Sequence, residues 1–360
     1  MKNEECFTVI GVMSGTSLDG LDIAFCRFKK QGQSWKYHIL QAETVEYSSA
    51  WKRRLRSLND STAFDFVQAD IGYGQFIGKT VKNFMERFKL KPDFISSHGH
   101  TVFHEPAKKM TSQIGRGSVI AAETGLPVIS DFRSTDIALG GQGAPLVPVG
   151  DRLLFHDYDY CLNLGGFANI SFEKENQRIA FDICPVNTVL NFLAGKAGKK
   201  FDKGGTLAST GTTNESLLKE LNALPYYHQD PPKSLGREWL AEFFLPVLER
   251  YDIPLRDKLR TACEHISVQV IRASGVPLMG TILITGGGAF NSFLVDRIKK
   301  KSPLKIVLPD PLTINFKEAL IFAFLGLLRW LEEINCLRSV TGASSDSSSG
   351  AIYLPAKNIH

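Results

Sequence analysis

The chain has 360 residues, a hydrophobic fraction of 43% and a formal net charge of +5. This length exceeds what one ordinary hydrophobic core organises, so two domains are expected, and the composition is typical of a soluble globular protein. The lysines lie in short scattered clusters, which argues against a nucleic-acid partner, and no apolar run is long enough to predict a membrane span. Six cysteines without a C-x-x-C pair and the lack of a signal-peptide core predict a cytoplasmic protein with reduced thiols.

The first predicted element is a hairpin, with strands at residues 7–10 and 21–26 around a turn of small residues at 11–20. The turn contains glycines, hydroxyls and one carboxylate, Asp19. Glycines let the backbone approach a ligand, and successive N–H groups form a concavity that suits phosphate. Because Asp19 would repel phosphate unless a cation lay between them, the turn indicates a Mg²⁺-nucleotide, although an ordinary hairpin loop explains the same residues.

Residues 34–46 predict a third strand, residues 50–58 and 64–88 predict helices, and residues 92–97 predict a buried strand. Three histidines follow that strand in the pattern H-x-H-x-x-x-H, at His98, His100 and His104. A polar end to a buried strand is where α/β sheets place ligand contacts, so we expect substrate contacts here. A metal site is the alternative, although no cysteine or carboxylate completes it at tight spacing.

A glycine- and proline-rich segment at residues 131–150 follows a short predicted strand at 127–130. A segment rich in glycine and proline is typical of a linker. However, Asp131, Arg133 and Asp136 carry charge that would suit the wall of a cleft, so both interpretations remain open from the residues alone.

The second half repeats the pattern that opens the first. Strands at 158–162 and 170–172 enclose a second turn of small residues at 163–169, and a strand at 178–181 leads into Asp182. The repetition predicts a duplicated fold, in which two glycine turns clasp a polyphosphate. Asp182 is the candidate general base, because a partly desolvated carboxylate near phosphates suits proton abstraction; a turn or helix-cap aspartate is the alternative.

Towards the end of the chain, a strand at residues 281–285 runs into a glycine turn at 286–291 and a helix. This turn predicts a contact with the base or ribose of a nucleotide, but it lacks the G-x-G-x-x-G pattern of a dinucleotide site. An apolar run at 319–330 predicts a buried helix, with Glu318 at its start either in a site or as an ordinary first-turn glutamate. The serine-rich residues 337–350 are expected to be flexible.

Together, these motifs resemble those of the anhydro-N-acetylmuramic acid kinases. The similar blocks occur in the family's order over nearly the whole chain, at residues 11–20, 97–104, 131–133, 140–148, 163–169, 202–204, 231–238, 285–288 and 340–343. The resemblance implies the actin, hexokinase and Hsp70 superfold: an α/β protein with a two-lobed actin-like ATPase (ribonuclease H-like) fold and duplicated mixed-sheet lobes around a nucleotide cleft. It places the substrate and phosphate contacts in an N-terminal lobe, residues 1–135 with 320–360. It places the nucleotide and the catalytic base in a C-terminal lobe, residues 136–319.

The resemblance also implies an activity, the ATP-dependent phosphorylation of 1,6-anhydro-N-acetylmuramic acid during recycling of cell-wall peptidoglycan. Asp182 would take a proton from water as the water attacks the anomeric carbon, and the freed O6 would then attack the γ-phosphate of ATP. The product would be N-acetylmuramic acid 6-phosphate. Catalysis of this kind depends mostly on positioning and charge neutralisation. ATP, Mg²⁺, a small-molecule sugar and a homodimeric partner are implied as well.

The residues that the resemblance implies at the site fall into three groups. The ATP and phosphate contacts are Ser14, Gly15, Thr16, Ser17, Leu18, Asp19, Gly20, Asn163, Gly165, Gly166, Gly286 and Gly287. The substrate contacts are Met13, Ser14, His98, His100, Arg133, Asp182 and Glu318. Mg²⁺ would be held largely through water by Asp19 and Asp182.

Four departures from the family pattern stand out. Cys184 and Val186 replace two glycines of the turn after Asp182, His100 stands where glutamine is usual, and Asn191 stands where aspartate is usual. These changes leave the base in place and bear on the preference for the sugar. Two alternatives are therefore kept: a kinase for a different sugar on the same fold, and an actin-like or Hsp70-like nucleotide switch without a small-molecule acceptor.

Overall fold

A computed structural model describes residues 5–15, 18–32, 34–275 and 279–356 of the chain. The chain forms two compact units, one made of Met1–Leu154 with Phe316–His360 and the other of Phe155–Asn315. Each unit has its own mixed sheet and its own apolar core.

Within the described ranges, strands and helices alternate along much of the chain. The strands are β1 (Cys6–Ser14), β2 (Gly20–Gln31), β3 (Ser34–Glu46), β4 (Phe94–Glu105), β5 (Met110–Ile114), β6 (Val128–Ser130), β7 (Tyr160–Leu164), β8 (Phe167–Lys174), β9 (Gln177–Pro185), β10 (Thr281–Thr285), β11 (Lys305–Val307) and β12 (Ala351–Tyr353). The helices are α1 (Ser49–Ser57), α2 (Ala63–Phe88), α3 (Gly117–Thr124), α4 (Ser134–Ala138), α5 (Val147–Leu154), α6 (Asn187–Gly195), α7 (Thr206–Ser209), α8 (Glu215–Asn222), α9 (Arg237–Trp239), α10 (Leu245–Arg250), α11 (Leu255–Ala273), α12 (Ser292–Lys301), α13 (Pro311–Trp330) and α14 (Arg338–Thr341).

Five strands of the first sheet have the same order and directions as the five strands of the second. In the first unit the order is β12-β6-β4-β1-β2-β3, with β5 paired to β4; β1, β2 and β3 form an antiparallel meander, and β4 and β6 continue parallel to β1. In the second unit the order is β11-β10-β7-β8-β9; β7, β8 and β9 form the meander, and β10 and β11 run parallel to β7. The shared topology confirms the predicted α/β fold with duplicated mixed sheets.

Helix α2 shows why the local sequence produces these elements. Thr62 caps its first turn by accepting a backbone N–H at 3.1 Å, and Lys89, in a left-handed conformation with φ 53°, ends it. Its buried side chains, such as Tyr73, Ile77 and Phe84, recur at helical spacing and pack into the core of the first unit.

The first unit extends beyond the predicted boundary at residue 135 and ends its first segment only at Leu154. Within it, the Asp136 carboxylate accepts a hydrogen bond from Thr341 at 2.7 Å, and buried Asp151 pairs with buried Lys317 at 2.7 Å. The predicted boundary lies too early in the chain, because these contacts join segments that are far apart in sequence. Asp136 and Thr341 are 205 positions apart.

Helix α13 contains the apolar run that predicts a buried helix, but it begins at Pro311. Its length and composition would suit a membrane span, yet 78% of its most apolar window is buried inside the protein, so it is a core helix. Strand β1 packs so closely against it that a Cβ added to Gly11 would clash with the carbonyl oxygen of Ala319. Glycine at position 11, the first residue of the opening motif, is therefore required by the packing of β1 against α13.

The serine-rich segment after α13 is held in place, so the prediction that it is flexible is wrong. Asn335 donates hydrogen bonds to the carbonyl oxygens of Leu325 at 3.0 Å and Ser349 at 2.8 Å, and its own side-chain oxygen accepts the Ser349 N–H at 2.7 Å. Cys336 and Ser347 form a β-bridge. Polar composition alone does not reveal that a buried asparagine organises the segment.

The core of the second unit contains a fully buried histidine, His265. Its Nδ1–H donates to the side-chain oxygen of Asn222 at 2.8 Å, and its Nε2 accepts from the Tyr227 hydroxyl at 3.0 Å. Because these partners suit the neutral imidazole and burial disfavours the charged form, the pKa of His265 is lowered to about 3.

We therefore expect the free energy of unfolding to fall as the pH drops below about 6.5, because the unfolded chain gains a proton that folded His265 resists down to about pH 3. This group should contribute a slope of about 1 kcal/mol per pH unit, measurable by urea unfolding between about pH 7 and about pH 5. His265→Gln should reduce the measured slope by this contribution, whereas the same substitution at exposed His38 should leave it unchanged. An identical slope in His265→Gln and the wild type would contradict this expectation.

Candidate functional site

The site on the first unit begins at the hairpin between β1 and β2. Ser14 ends β1 and Gly20 begins β2, while Leu18 takes a left-handed conformation with φ 59°. Asp19 is exposed at the tip of the hairpin. Thr16 and Ser17, both predicted phosphate contacts, lie outside the described residues.

The Ser14 side chain points inward and is 2% exposed. Its hydroxyl is hydrogen-bonded to the Tyr47 hydroxyl at 2.7 Å and to His100 Nδ1 at 2.9 Å, and Tyr47 is in turn bonded to the Tyr73 hydroxyl at 2.5 Å. Burial lowers the pKa of His100 to about 4, so its imidazole is neutral near pH 7. Sequence reasoning missed both tyrosines, because Tyr47 lies in the loop after β3, Tyr73 lies on α2, and neither belongs to a motif.

A second buried network surrounds His98. Its Nε2 accepts a hydrogen bond from Arg133 Nε at 3.0 Å, and Arg133 also donates to the carbonyl oxygen of Gly143 at 2.6 Å. Burial, followed by the positive charge of Arg133, holds the pKa of His98 well below its ordinary value. His104 is instead exposed and bonded to Thr111 at 3.1 Å.

The three histidines therefore do not form a metal site. Each has its own partner, and within the described part of the chain no cluster of three or more His, Cys, Asp and Glu side chains is suited to a metal ion.

Two pairs of carboxylates interact electrostatically on the first unit, Asp19 with Asp22 and Asp22 with Glu318. Desolvation raises the pKa of Asp22, and the charge of Asp19 raises it further; a hydrogen bond from Thr44 at 2.6 Å opposes both effects. Glu318 is accessible to solvent, yet desolvation and then Asp22 raise its pKa. Sequence reasoning missed Asp22. It pairs with Met13, a predicted substrate contact, across the predicted hairpin, and that pairing could have indicated it.

On the second unit, three loops meet at the ends of β7, β9 and β10. The carbonyl oxygens of Gly165 and Gly166 accept backbone N–H groups from the start of α6, including that of Asn187 at 3.2 Å. Gly286 has a φ of 81°, and a Cβ there would clash with the side-chain oxygen of Asn163. The structure thus brings together the residues of this unit that are predicted to contact the nucleotide.

The candidate base, Asp182, lies on β9 opposite Asn169, where the register of the sheet is irregular. Its side chain is half-buried, and one carboxylate oxygen accepts the Leu235 N–H at 2.9 Å. Desolvation raises the pKa of Asp182, and the Leu235 N–H opposes that shift in part. A raised pKa strengthens the carboxylate as a proton acceptor.

The departures from the family pattern after Asp182 are mostly core residues. Cys184 and Val186 are both 0% exposed and belong to the apolar core of the second unit. Burial raises the pKa of the Cys184 thiol, so the thiol form is favoured. Asn191, in contrast, is exposed on α6.

Two units that share a five-stranded arrangement, each with a glycine-containing turn after its first strand, define the actin-like class of duplicated α/β proteins. The sequence model of one family, described as anhydro-N-acetylmuramic acid kinase, matches residues 7–355. The chain therefore belongs to the anhydro-N-acetylmuramic acid kinase family, which confirms the predicted family and the prediction that the protein is a sugar kinase.

Relatives from several bacteria are similar to the chain over nearly its whole length. Anhydro-N-acetylmuramic acid kinase from Sulfurimonas denitrificans is 34% identical, covering 96% of this chain and 98% of the relative. The protein of that name from Coxiella burnetii is 34% identical with 96% coverage of both chains, and that from Caldanaerobacter subterraneus is 31% identical with 98% coverage of both.

Proposed function

We propose that the protein uses ATP to phosphorylate O6 of 1,6-anhydro-N-acetylmuramic acid while water opens the anhydro ring, giving N-acetylmuramic acid 6-phosphate and ADP for peptidoglycan recycling. The family match over residues 7–355 carries this proposal. The retained carboxylate of Asp182 supports it, because ring opening by water needs a proton acceptor.

In the proposed reaction, Asp182 accepts a proton from the water whose oxygen bonds to the anomeric carbon. The bond from that carbon to O6 breaks, and O6 forms a bond to the γ-phosphorus of ATP as ADP leaves. The Leu235 N–H holds one carboxylate oxygen of Asp182 at 2.9 Å, so the orientation of the base is set before substrate binds.

ATP would contact the backbone of the hairpin residues Ser14–Gly20 on the first unit and the Asn163, Gly165, Gly166, Gly286 and Gly287 loops on the second. The close approach of Gly286 to Asn163 supports this assignment, because a glycine without a side chain leaves the loop backbone open to a ligand. We propose accordingly that the first unit supplies the substrate and phosphate contacts, and the second the nucleotide contacts and the base.

Mg²⁺ would be held largely through water by Asp19, and we retain Asp182 as its second proposed partner. The donor chemistry of Asp19 and Asp182 fits this ion, because carboxylate oxygens are the hard donors that Mg²⁺ prefers and an ion held mostly through water needs few protein ligands. When bound, Mg²⁺ would neutralise charge on the phosphates.

The sugar would be contacted by Met13, Arg133 and Glu318. His98 and His100, which are 4% and 5% exposed, would act mainly by holding Arg133 and Ser14 in place. We further propose a cytoplasmic homodimer, in keeping with the family resemblance and the reduced cysteines.

The decisive measurement is ADP release with 1,6-anhydro-N-acetylmuramic acid, with its open-ring form and without sugar. We expect ADP only with the anhydro-sugar. Release with the open-ring form or with another sugar alone would favour a different sugar kinase. Release that does not depend on sugar would favour a nucleotide switch and would reject both kinase assignments.

A further inference from the structure

One short segment of the second unit, residues 226–235, makes three contacts with Asp182; we name it the strap. The Asp182 N–H donates to the carbonyl oxygen of Lys233 at 3.2 Å. The Asp182 carbonyl oxygen accepts from the Tyr226 hydroxyl at 2.6 Å, and the carboxylate accepts the Leu235 N–H at 2.9 Å. The strap therefore holds the backbone of Asp182 on both sides of its Cα as well as its side chain.

The Lys233 side chain joins the beginning and the end of the strap by hydrogen bonds. Its half-buried ammonium group donates to the carbonyl oxygens of Gln229 at 2.8 Å and Tyr226 at 3.3 Å. The same group lies 4.8 Å from the centre of the Tyr226 ring and 5.7 Å from that of Phe181, the residue before Asp182. Cation–π and charge-assisted contacts of this kind strengthen where water is partly excluded.

The geometry links the Lys233 side chain to the direction of the Asp182 carboxylate. Only Ser234 separates Lys233 from Leu235 along the strap, so loss of the ammonium contacts would release the N–H that orients the base. A general base must lie within hydrogen-bond reach of the proton that it abstracts, and small misplacements of catalytic groups lower the rate.

We propose that Lys233 is a positioning residue, which fixes the strap and thereby aims the Asp182 carboxylate at the reacting water. The inference rests on the proposed function, in which Asp182 is the base. In the proposed reaction Lys233 does not contact the reacting atoms, so its removal should lower kcat and leave substrate binding largely intact.

The test is steady-state ADP release by full-length variants. Lys233→Met should lower kcat roughly 10- to 100-fold and leave KM for ATP and for the anhydro-sugar within about twofold of wild type. Lys233→Arg should recover most of the rate, because arginine keeps the charge, the donors and the ring contacts. Tyr226→Phe removes only the hydroxyl that binds the Asp182 carbonyl oxygen, and it should lower kcat about threefold or more.

Lys196→Met is the matched control. Lys196 lies 4.6 Å from the centre of the Phe192 ring and pairs with Glu249 at 3.1 Å in the same unit, but it has no contact with the strap. Its kcat should equal that of wild type. Melting temperatures of the two methionine variants should be similar, which separates positioning from a loss of folded protein.

The two hypotheses can be separated within one experiment. Wild-type protein that releases no ADP with the anhydro-sugar overturns the proposed function and, with it, the inference. Active wild type together with unchanged kcat in both Lys233→Met and Tyr226→Phe overturns the inference alone. A rise in KM without a fall in kcat, or a rate loss that arginine does not recover, likewise overturns the positioning role.

Discussion

Asp182→Asn should lower turnover of the anhydro-sugar by about 10²–10⁴, the usual contribution of a general base. The amide has nearly the same shape, and its oxygen can still accept the Leu235 N–H that the carboxylate accepts at 2.9 Å. The substitution therefore removes the proton acceptor and preserves the local geometry. Steady-state kinetics should show the loss in kcat, with KM for ATP mostly retained.

Asp157→Asn provides the matched control, because Asp157 is an exposed aspartate of the same unit with 84% of its side chain accessible. Its turnover should be that of wild type. Equal turnover in Asp182→Asn and wild type would reject Asp182 as the base. It would leave the family assignment standing, since that assignment depends on the whole-chain match.

Gly11→Ala should lower the free energy of unfolding by about 3 kcal/mol, the upper part of the usual range for overpacking a core. The added Cβ would clash with the carbonyl oxygen of Ala319 and lie 2.9 Å from the Ala323 Cβ. Strand β1 cannot move away easily, because it is paired on one side with β2 and on the other with β4. Urea unfolding at neutral pH measures the loss.

Gly72→Ala is the control for this prediction. Gly72 lies inside α2, and a Cβ there would meet only side-chain atoms of Arg54 at 3.7 Å and Trp51 at 3.8 Å. Alanine should therefore stabilise the helix, by roughly 0.5–1 kcal/mol. If Gly11→Ala were as stable as wild type, the close packing of β1 against α13 would not hold in solution.

Several elements could be predicted from local pattern because their causes are local. The helical spacing of apolar residues predicts α2, expected at residues 64–88 and found at Ala63–Phe88, and the two small-residue turns predict the hairpins that open both sheets. The boundary of the first unit at Leu154 could not be predicted in this way, because it depends on ion pairs and hydrogen bonds between distant segments.

The residues of the site also divide into those that local sequence predicts and those that depend on contacts between distant segments. The opening turn and Asp182 stand out in the sequence, because glycines, hydroxyls and a carboxylate at strand ends indicate phosphate and proton chemistry. The sequence does not show that the Ser14 hydroxyl is bonded inward to Tyr47 and His100, 33 and 86 positions away. Nor does it show which side chains surround Cys184 in the core, since its neighbours there come from other elements.

By itself, the sequence determined the duplicated α/β architecture, the glycine turns and the family, because strand alternation, turn chemistry and ordered motifs are properties of neighbouring residues. Only the tertiary structure decided which partners hold the functional side chains: the tyrosines behind Ser14, Arg133 beside His98, and the strap that binds Asp182. The physical reason is that a buried polar group must find a hydrogen-bond partner, and folding brings that partner from anywhere in the chain.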